Sequence, residues 1–446
     1  SIAAAGKDST LNLVMQRNKN YKFKMNMVLP KEIPYSNAYW LNQPHSANMY
    51  EVADQQMIGL PETPRLLKAK FLMEMGKEAI EFDLDIAHKF EDPIKGEIFR
   101  PLEIIPPVSL ALDNKAYIFG SNISKEIRVT IKAGQQESVN GFLSLKMPPG
   151  WNCKPAMQSF TTQKKGEEQI FTFELFPPKH ADQGEILAFA KVNGMEYSKR
   201  MTSIHYDHIP TQMVYQESSS KVSRVDLKSE NRKIAYIMGA GDEIPQSLKQ
   251  IGFDVTVLED KDITSANLKK FDVVIMGIRA YNAVERLKVL QPRLYEFVEN
   301  GGTMIVQYNN NFDMFLEELA PFKMKLSRDR VTDEETEMRF LNKDHMVLKS
   351  PNLISTADFD NWVQERGLYF PSEWDPKMEA ILACNDPGEP SKNGSLLIAP
   401  FGKGYYIYTG LSFFRQLPAG VPGAYRLFTN MICLKQKNQG KKAKQS

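Results

Sequence analysis

Between Lys233 and Asn282, short apolar runs alternate with amphipathic stretches. Three runs are rich in β-branched residues: 234–238, 255–258 and 273–276. Between the first two, Ile244, Leu248 and Ile251 fall on one face of a helix. Continuous apolar strands alternating with amphipathic helices predict a parallel sheet covered on both faces. The pattern continues with a helix over 289–299, a strand over 303–308, strands over 395–399 and 405–408, and a last helix over 424–433.

Before residue 233 the texture changes to period two. Residues 21–29, 71–75 and 80–86 alternate as half-buried strands do, with Tyr35, Tyr39 and Trp40 clustered between them. Residues 1–103 are therefore expected to form a β-sandwich-like domain. The Ser1–Lys7 stretch reads as the last turn of a helix with Gly6 as its C-cap, as in a piece cut from something longer. Prolines at 106 and 107 make a joint. Strands over 108–112, 127–131, 141–145, 169–175 and 186–192, with Trp151 after a Pro-Pro-Gly turn, predict an immunoglobulin-like sandwich over 104–209. The serine run at 218–220 marks 210–231 as a linker, followed by an α/β domain over 232–436 and a disordered basic tail over 437–446. The fold class is thus two β-sandwiches followed by a flavodoxin-like or amidotransferase-like α/β domain with a mainly parallel sheet.

A formal net charge of +2 over 446 residues, without basic clusters outside the tail, argues against nucleic acid as the partner. Three scattered cysteines make neither a disulfide framework nor a zinc spacing. No apolar run is long enough to span a bilayer, and the first residues show no charged stretch followed by an apolar core, so no signal peptide is expected within this sequence, which does not exclude export. His205, Asp207 and His208 could belong to a metal site, but in an extended segment the two histidines face opposite sides.

In parallel sheets ligands bind beyond the carboxyl ends of the strands. The polar residues there include Asp242, Glu259, Arg279, Tyr281, Asn282, Gln307 and Asn309. Gly239-Ala-Gly241 fits a dinucleotide loop only in part: Ile244 takes the third glycine position, and Asp242 reads better as a helix cap. No Gly-x-Ser-x-Gly or Gly-x-Cys-x-Gly nucleophile elbow occurs. Dense polar and aromatic stretches at 327–334, 358–375 and 413–426 either line a sugar pocket or pin long loops through arginine–carboxylate pairs.

The segments Tyr-Ile-Met-Gly-Ala-Gly-Asp, Gly-Ile-Arg-Ala-Tyr-Asn, Trp-Val-Gln-Glu-Arg-Gly-Leu-Tyr-Phe and Phe-Phe-Arg-Gln-Leu-Pro-Ala-Gly-Val-Pro-Gly-Ala-Tyr-Arg-Leu carry a family resemblance. Together with Asn-Gly-Gly-Thr-Met-Ile-Val-Gln-Tyr-Asn they resemble the C-terminal region of PIG-L (LmbE-like) deacetylases of Bacteroidetes-type bacteria. There a zinc-dependent N-acetyl-sugar deacetylase domain precedes β-sandwich modules and an amidotransferase-like or ThuA-like domain. The resemblance implies a periplasmic or extracellular location. The His-Pro-Asp-Asp zinc motif is missing here, so no catalytic residue, metal ligand or cofactor carries over. The chain is expected to be a non-catalytic accessory region that binds a glycan or small polar ligand, or docks the absent deacetylase domain. The candidate ligand residues are Arg279, Tyr281, Asn282, Gln307, Asn309, Trp362, Glu365 and Arg366. The alternative is a carbohydrate-active hydrolase using carboxylates among Asp242, Glu334, Asp358 and Glu365.

Overall fold

The computed structural model describes residues 2–4, 7–11, 13–26, 29, 32–43 and 49–436. The basic tail at 437–446 lies outside them. Among the described residues no helix is long and apolar enough to cross a membrane.

The first hundred residues carry strands but no core. Ile2–Ala4, Lys7–Ser9, Lys68–Met75 and Glu78–Asp85 form one antiparallel sheet, and Ala87–Asp92 pairs with Gly96–Pro101. The first residues are therefore strand and not a helix end: Ile2 and Ala3 pair with Phe71 and Lys70. Residues 21–26 alternate in sequence but lie in no strand. Among the described residues before 104, only Ala38 and Tyr39 are buried, so this region does not close as the expected sandwich. Its aromatic cluster packs on a later hairpin: the Tyr35 ring lies 5.6 Å from that of Tyr215.

Residues 108–224 form the sandwich. One sheet runs Met157–Thr162, Val139–Lys146, Asp182–Val192, Ser219–Arg224, Ala116–Phe119; the other runs Asn152–Lys154, Glu168–Phe176, Lys125–Ala133, Val108–Leu112. Inward residues at every second position make the core, among them Ile127, Val129 and Ile131 from one sheet and Ile186, Ala188 and Ala190 from the other. Trp151 is buried between the sheets and donates from Nε1 to Asp182 Oδ2 at 2.8 Å.

The predicted linker is mostly strand. Ile209–Glu217 pairs with Lys199–Tyr206, and Ser219–Arg224 is an inner strand of the larger sheet, parallel to Ala116–Phe119. The serines mislead because small hydroxyls fit a buried pleat. Ser220 is buried and its Oγ donates to the Asn114 carbonyl. In the hairpin, His205 Nδ1 meets Thr211 Oγ1 at 2.9 Å while Asp207 pairs with Lys95, so the His-Asp-His run makes no common site.

From Lys233 onward an eight-stranded sheet organises the chain. Its order is Asp254–Leu258, Lys233–Ile237, Val273–Met276, Thr303–Val306, Gly404–Thr409, Lys392–Phe401, Glu379–Cys384, Arg339–Phe340. The first five strands are mutually parallel and the last three are antiparallel additions. Alternate residues of each strand feed two cores. Ile234, Tyr236, Val273, Ile275 and Ile305 meet the helices Ile244–Gln250 and Pro422–Cys433 through Leu248, Leu427 and Phe428. Ala235, Ile237, Val274, Met276 and Met304 meet the helix Leu287–Glu299 through Leu290, Leu294 and Val298.

The sandwich and the C-terminal sheet unit are joined side to side. Ile118 N–H donates to Gln250 Oε1 at 2.8 Å, and the Lys125 ammonium donates to the Ile118 and Gln250 carbonyls while lying 5.0 Å from the Phe119 ring centre. Burial pushes the Lys125 ammonium from 10.5 down to about 8. The folded chain therefore releases this proton first, and between pH 8 and 10.5 the unfolded chain holds more protons. Stability from this group is at its lowest below pH 8 and rises as pH climbs through that window. Above pH 10 the buried tyrosines, held above their ordinary value, oppose the rise. Urea denaturation should show the wild-type chain gaining about 2 kcal/mol relative to Lys125→Met between pH 7.5 and 9.5. A constant difference between the two proteins contradicts the assignment.

Candidate functional site

The carboxyl ends of three adjacent parallel strands deliver the segments 238–243, 277–282 and 307–312 to one edge of the sheet. The first two cross closely: a Cβ on Gly239 would sit 2.0 Å from the Ile278 carbonyl, which itself accepts from Ala240 N–H at 2.9 Å. Asp242 clamps them. It accepts from the Tyr236 hydroxyl at 2.7 Å, from Ile244 N–H at 3.1 Å and from Ile278 N–H at 3.2 Å. The N-cap position of the helix is Glu243 and not Asp242 as expected; Asp242, one residue earlier, holds the first helical N–H and also fixes the second loop.

Arg279 stands at the turn from the Val273–Met276 strand into the short helix Ala280–Ala283, in the left-handed region at φ 54° and ψ 29°. Strand, strained turn and helix reproduce the geometry of a nucleophile elbow, but with a guanidinium where a nucleophile would stand. Its N–H is held by the Tyr308 carbonyl at 2.8 Å. Its side chain is half-buried, Nε is sealed from solvent without an acceptor, and among the described residues the guanidinium has no ion pair.

Beside it lies an aromatic group. The Tyr308 ring, 8% exposed, stacks at 6.2 Å and 10° on Tyr369 and meets Phe414 at 5.2 Å. Phe312 packs edge-on to Tyr369 at 6.3 Å. Burial pushes the Tyr308 hydroxyl up, while the nearby Arg279 and Arg415 charges pull it back. Glu365, 3% exposed, pairs with Arg330 at 2.7 Å and Arg415 at 2.9 Å. Phe414 and Arg415 also line an open cleft of about 580 Å³, together with Asp242, Glu243 and Gln364. Its opposite wall is the sandwich, at Lys115 and Lys221.

The eight sequence candidates divide. Arg279 lies beside the Tyr308 ring without lining the cleft, and Glu365 reaches the aromatic group through its arginines. Gln307 lies beneath: Nε2 donates to the Tyr236 hydroxyl at 3.0 Å, and its buried Oε1 has no donor. Asn282 staples the loop, donating to the Phe312 carbonyl at 2.9 Å and accepting from Asn310 N–H at 3.0 Å. Tyr281 and Asn309 are interior; Asn309 Oδ1 accepts from Tyr281 N–H at 2.9 Å. Trp362 is core and not a pocket wall, packed 5.4 Å from Phe359 and 5.6 Å from Phe413. Arg366 is buried with its guanidinium spent on the Thr336 and Phe359 carbonyls. Tyr308, Tyr369 and Phe414 were missing from the candidates. The signals available were the position of Tyr308, two residues past the Thr303–Val306 strand, and the dense stretches 358–375 and 413–426 that hold Tyr369 and Phe414.

The proposed hydrolase acids are engaged elsewhere. Asp358 pairs with Arg426 at 2.7 Å, Glu365 holds two arginines, and Glu334 accepts from Gln364 N–H. Burial pushes the Cys384 thiol up to about 12, far from a reactive thiolate. A second cleft of about 250 Å³ lies between the N-terminal segment and the Ile209–Glu217 strand, and its acids Glu62 and Glu103 are tied to Arg65 at 2.8 and 3.2 Å.

No family model and no curated protein matches the chain. Among solved structures, native alpha-2-macroglobulin from Escherichia coli, from domain MG7 to the C-terminus, is similar over 26% of this chain at 12% identity and a TM-score of 0.18, with 16% of that chain covered. WR4, an MSP family member of C. elegans, is similar over 26% at 9% identity and a TM-score of 0.17, with 96% of that chain covered. The apo-form Calx CBD1 domain is similar over 27% at 8% identity and a TM-score of 0.17, again with 96% of that chain covered.

Proposed function

We propose that this chain is a non-catalytic accessory region whose C-terminal unit binds a glycan or small polar ligand. The observation that carries the reading is the half-buried, unpaired Arg279 beside the Tyr308–Tyr369 stack, at the carboxyl ends of the parallel strands. Aromatic faces and fork-shaped donors are what a sugar ring and its polar groups require. The engagement of Asp358, Glu334 and Glu365 by protein partners speaks against acid/base hydrolysis, which needs two carboxyl groups free to meet substrate.

The C-terminal unit is flavodoxin-like in this reading. Numbered in chain order within the parallel set, its strands run 2-1-3-4-5, the order in which a ligand crevice opens beside the first strand. Its motifs resemble those that follow the catalytic domain in PIG-L-type deacetylases, a resemblance that supports a parent protein of the periplasm or the cell exterior. A scaffold role, docking a separate deacetylase domain, is the second reading. It is favoured by apolar side chains exposed on the N-terminal hairpins, such as Met75, Ile94 and Phe99.

A thermal-shift screen against neutral, amino, N-acetyl and acidic sugars separates the two. A concentration-dependent rise in melting temperature with a sugar is expected from the binding reading. Flat curves with every sugar, and binding to a separately produced PIG-L-type deacetylase domain, overturn it in favour of the scaffold.

A further inference from the structure

Arg279 presents a charge problem. Three guanidinium groups, Arg279, Arg330 and Arg415, surround the Tyr308 region, and the one buried carboxylate there, Glu365, is shared by Arg330 and Arg415. Asp242 is the other acid near this strand edge, but the Tyr236 hydroxyl and two backbone amides occupy its oxygens. Glu243 lines the cleft on the strand-end side, and Glu185, Lys115 and Lys221 line it on the sandwich side, where the Glu185 carboxylate accepts from the Ser219 hydroxyl. Among the described residues Arg279 has no ion pair. Nε is sealed from solvent, where an unsatisfied donor on a charged group is costly. Gln307, 1% exposed, keeps a second unsatisfied polar atom beneath the same strand end. The chain also holds Arg279 and Tyr369 in left-handed backbone, at φ 54° and 52°, which neither residue type favours. Among the described residues the guanidinium makes no side-chain hydrogen bond or ion pair.

We propose that Arg279 is the anion-binding residue of a site for acidic sugars: it takes the ligand's carboxylate or sulfate in a bidentate pair while the sugar face lies against Tyr308, Tyr369 and Phe414. The assignment rests on the ligand-binding reading above and narrows it to a charged class. A planar guanidinium matches a carboxylate in two parallel hydrogen bonds, and the fixed elbow removes the ordering entropy a flexible lysine would lose. Low solvent exposure strengthens the attraction and makes neutral sugars poor substitutes, because they leave the charge unpaired.

Isothermal titration of the whole chain with glucuronate, a sulfated glucose, glucose and inorganic sulfate at one ionic strength tests this. Arg279→Gly deletes the side chain and suits the left-handed backbone, so this variant should melt no lower than wild type. Arg279→Lys keeps the charge and loses the fork. The expected result is binding of one or both acidic sugars at least roughly tenfold tighter than glucose, lost in Arg279→Gly and weakened in Arg279→Lys. Preference for glucuronate or for the sulfated sugar identifies the anion. Equal binding of glucose and the acidic sugars, unchanged in Arg279→Gly, overturns the anion assignment and leaves the sugar reading standing. Binding of inorganic sulfate as tight as that of either sugar overturns the sugar part and leaves an anion site. No binding by any of the four overturns both.

Discussion

Replacing Asn430 with leucine is expected to lower the free energy of unfolding by about 4 kcal/mol. Asn430 is fully buried in the Pro422–Cys433 helix, and its carboxamide ties that helix to the 347–352 loop. Nδ2 donates to the Val347 and Asn352 carbonyls, each at 2.7 Å, and Oδ1 accepts from the Asn352 backbone N–H at 2.9 Å and its Nδ2 at 3.0 Å. Leucine has the same branched shape and number of side-chain heavy atoms, so no large cavity forms. The loss comes instead from two carbonyls and one N–H stranded without water, each costing about 1–3 kcal/mol. Asn352 keeps its bonds to Lys228, which limits the damage. Urea denaturation should move the midpoint with little change in slope. A loss below about 1 kcal/mol would mean that this loop relaxes to let water in.

Asp242→Ala is expected to cost about 3 kcal/mol and to remove ligand binding together with it. The carboxylate joins the Tyr236 hydroxyl, the start of the Ile244–Gln250 helix and the Ile278 amide. Tyr236 is fully buried, and burial already pushes its hydroxyl well above the ordinary value, so a lost acceptor leaves a donor with no route to water. Ile278 adjoins Arg279, so slack at this amide moves the elbow. Asp242→Asn retains one acceptor oxygen and should recover at least half of the lost stability. Asp242 is a positioning residue: its effect should appear as weaker affinity even where Asp242→Asn remains folded. Wild-type affinity in a folded Asp242→Asn variant would show that the elbow is held by its other contacts alone.

The strands were legible wherever one physical rule acted alone. Val108–Leu112 and Val273–Met276 stand where their runs of apolar residues put them, because both faces are covered and every position is buried or nearly so. The Leu287–Glu299 and Pro422–Cys433 helices follow from apolar residues three and four apart. Residues 210–231 misled because serine is common in linkers and also small enough for a buried strand. The N-terminal alternation misled for the opposite reason: period two promises a strand only if it joins a sheet, and residues 21–26 lie in no strand.

The site was harder to read than the fold. Trp362 and Arg366 sit in a stretch whose composition suits a sugar pocket. Their partners, Phe413 and the Thr336 carbonyl, come from remote segments that no local pattern reveals. Arg279 was found because it follows a parallel strand. Its left-handed backbone was not legible, since arginine has no preference for that conformation. Tyr308 and Tyr369 meet only through the loop at 364–370, folded over the sheet edge by the Glu365 ion pairs and by the Ser412 hydroxyl on the Glu365 carbonyl.

Amide hydrogen exchange of the full chain, with and without saturating glucuronate, tests the central claim most directly, because it locates binding without presupposing a residue. The account predicts slowed exchange confined to 277–282, 307–313, 364–370 and 412–416, the segments that bring Arg279, Tyr308, Tyr369 and Phe414 to one edge of the sheet. Protection at 34–42 and 211–215 instead, around the Tyr35–Tyr215 contact, would place binding in the other cleft and contradict it.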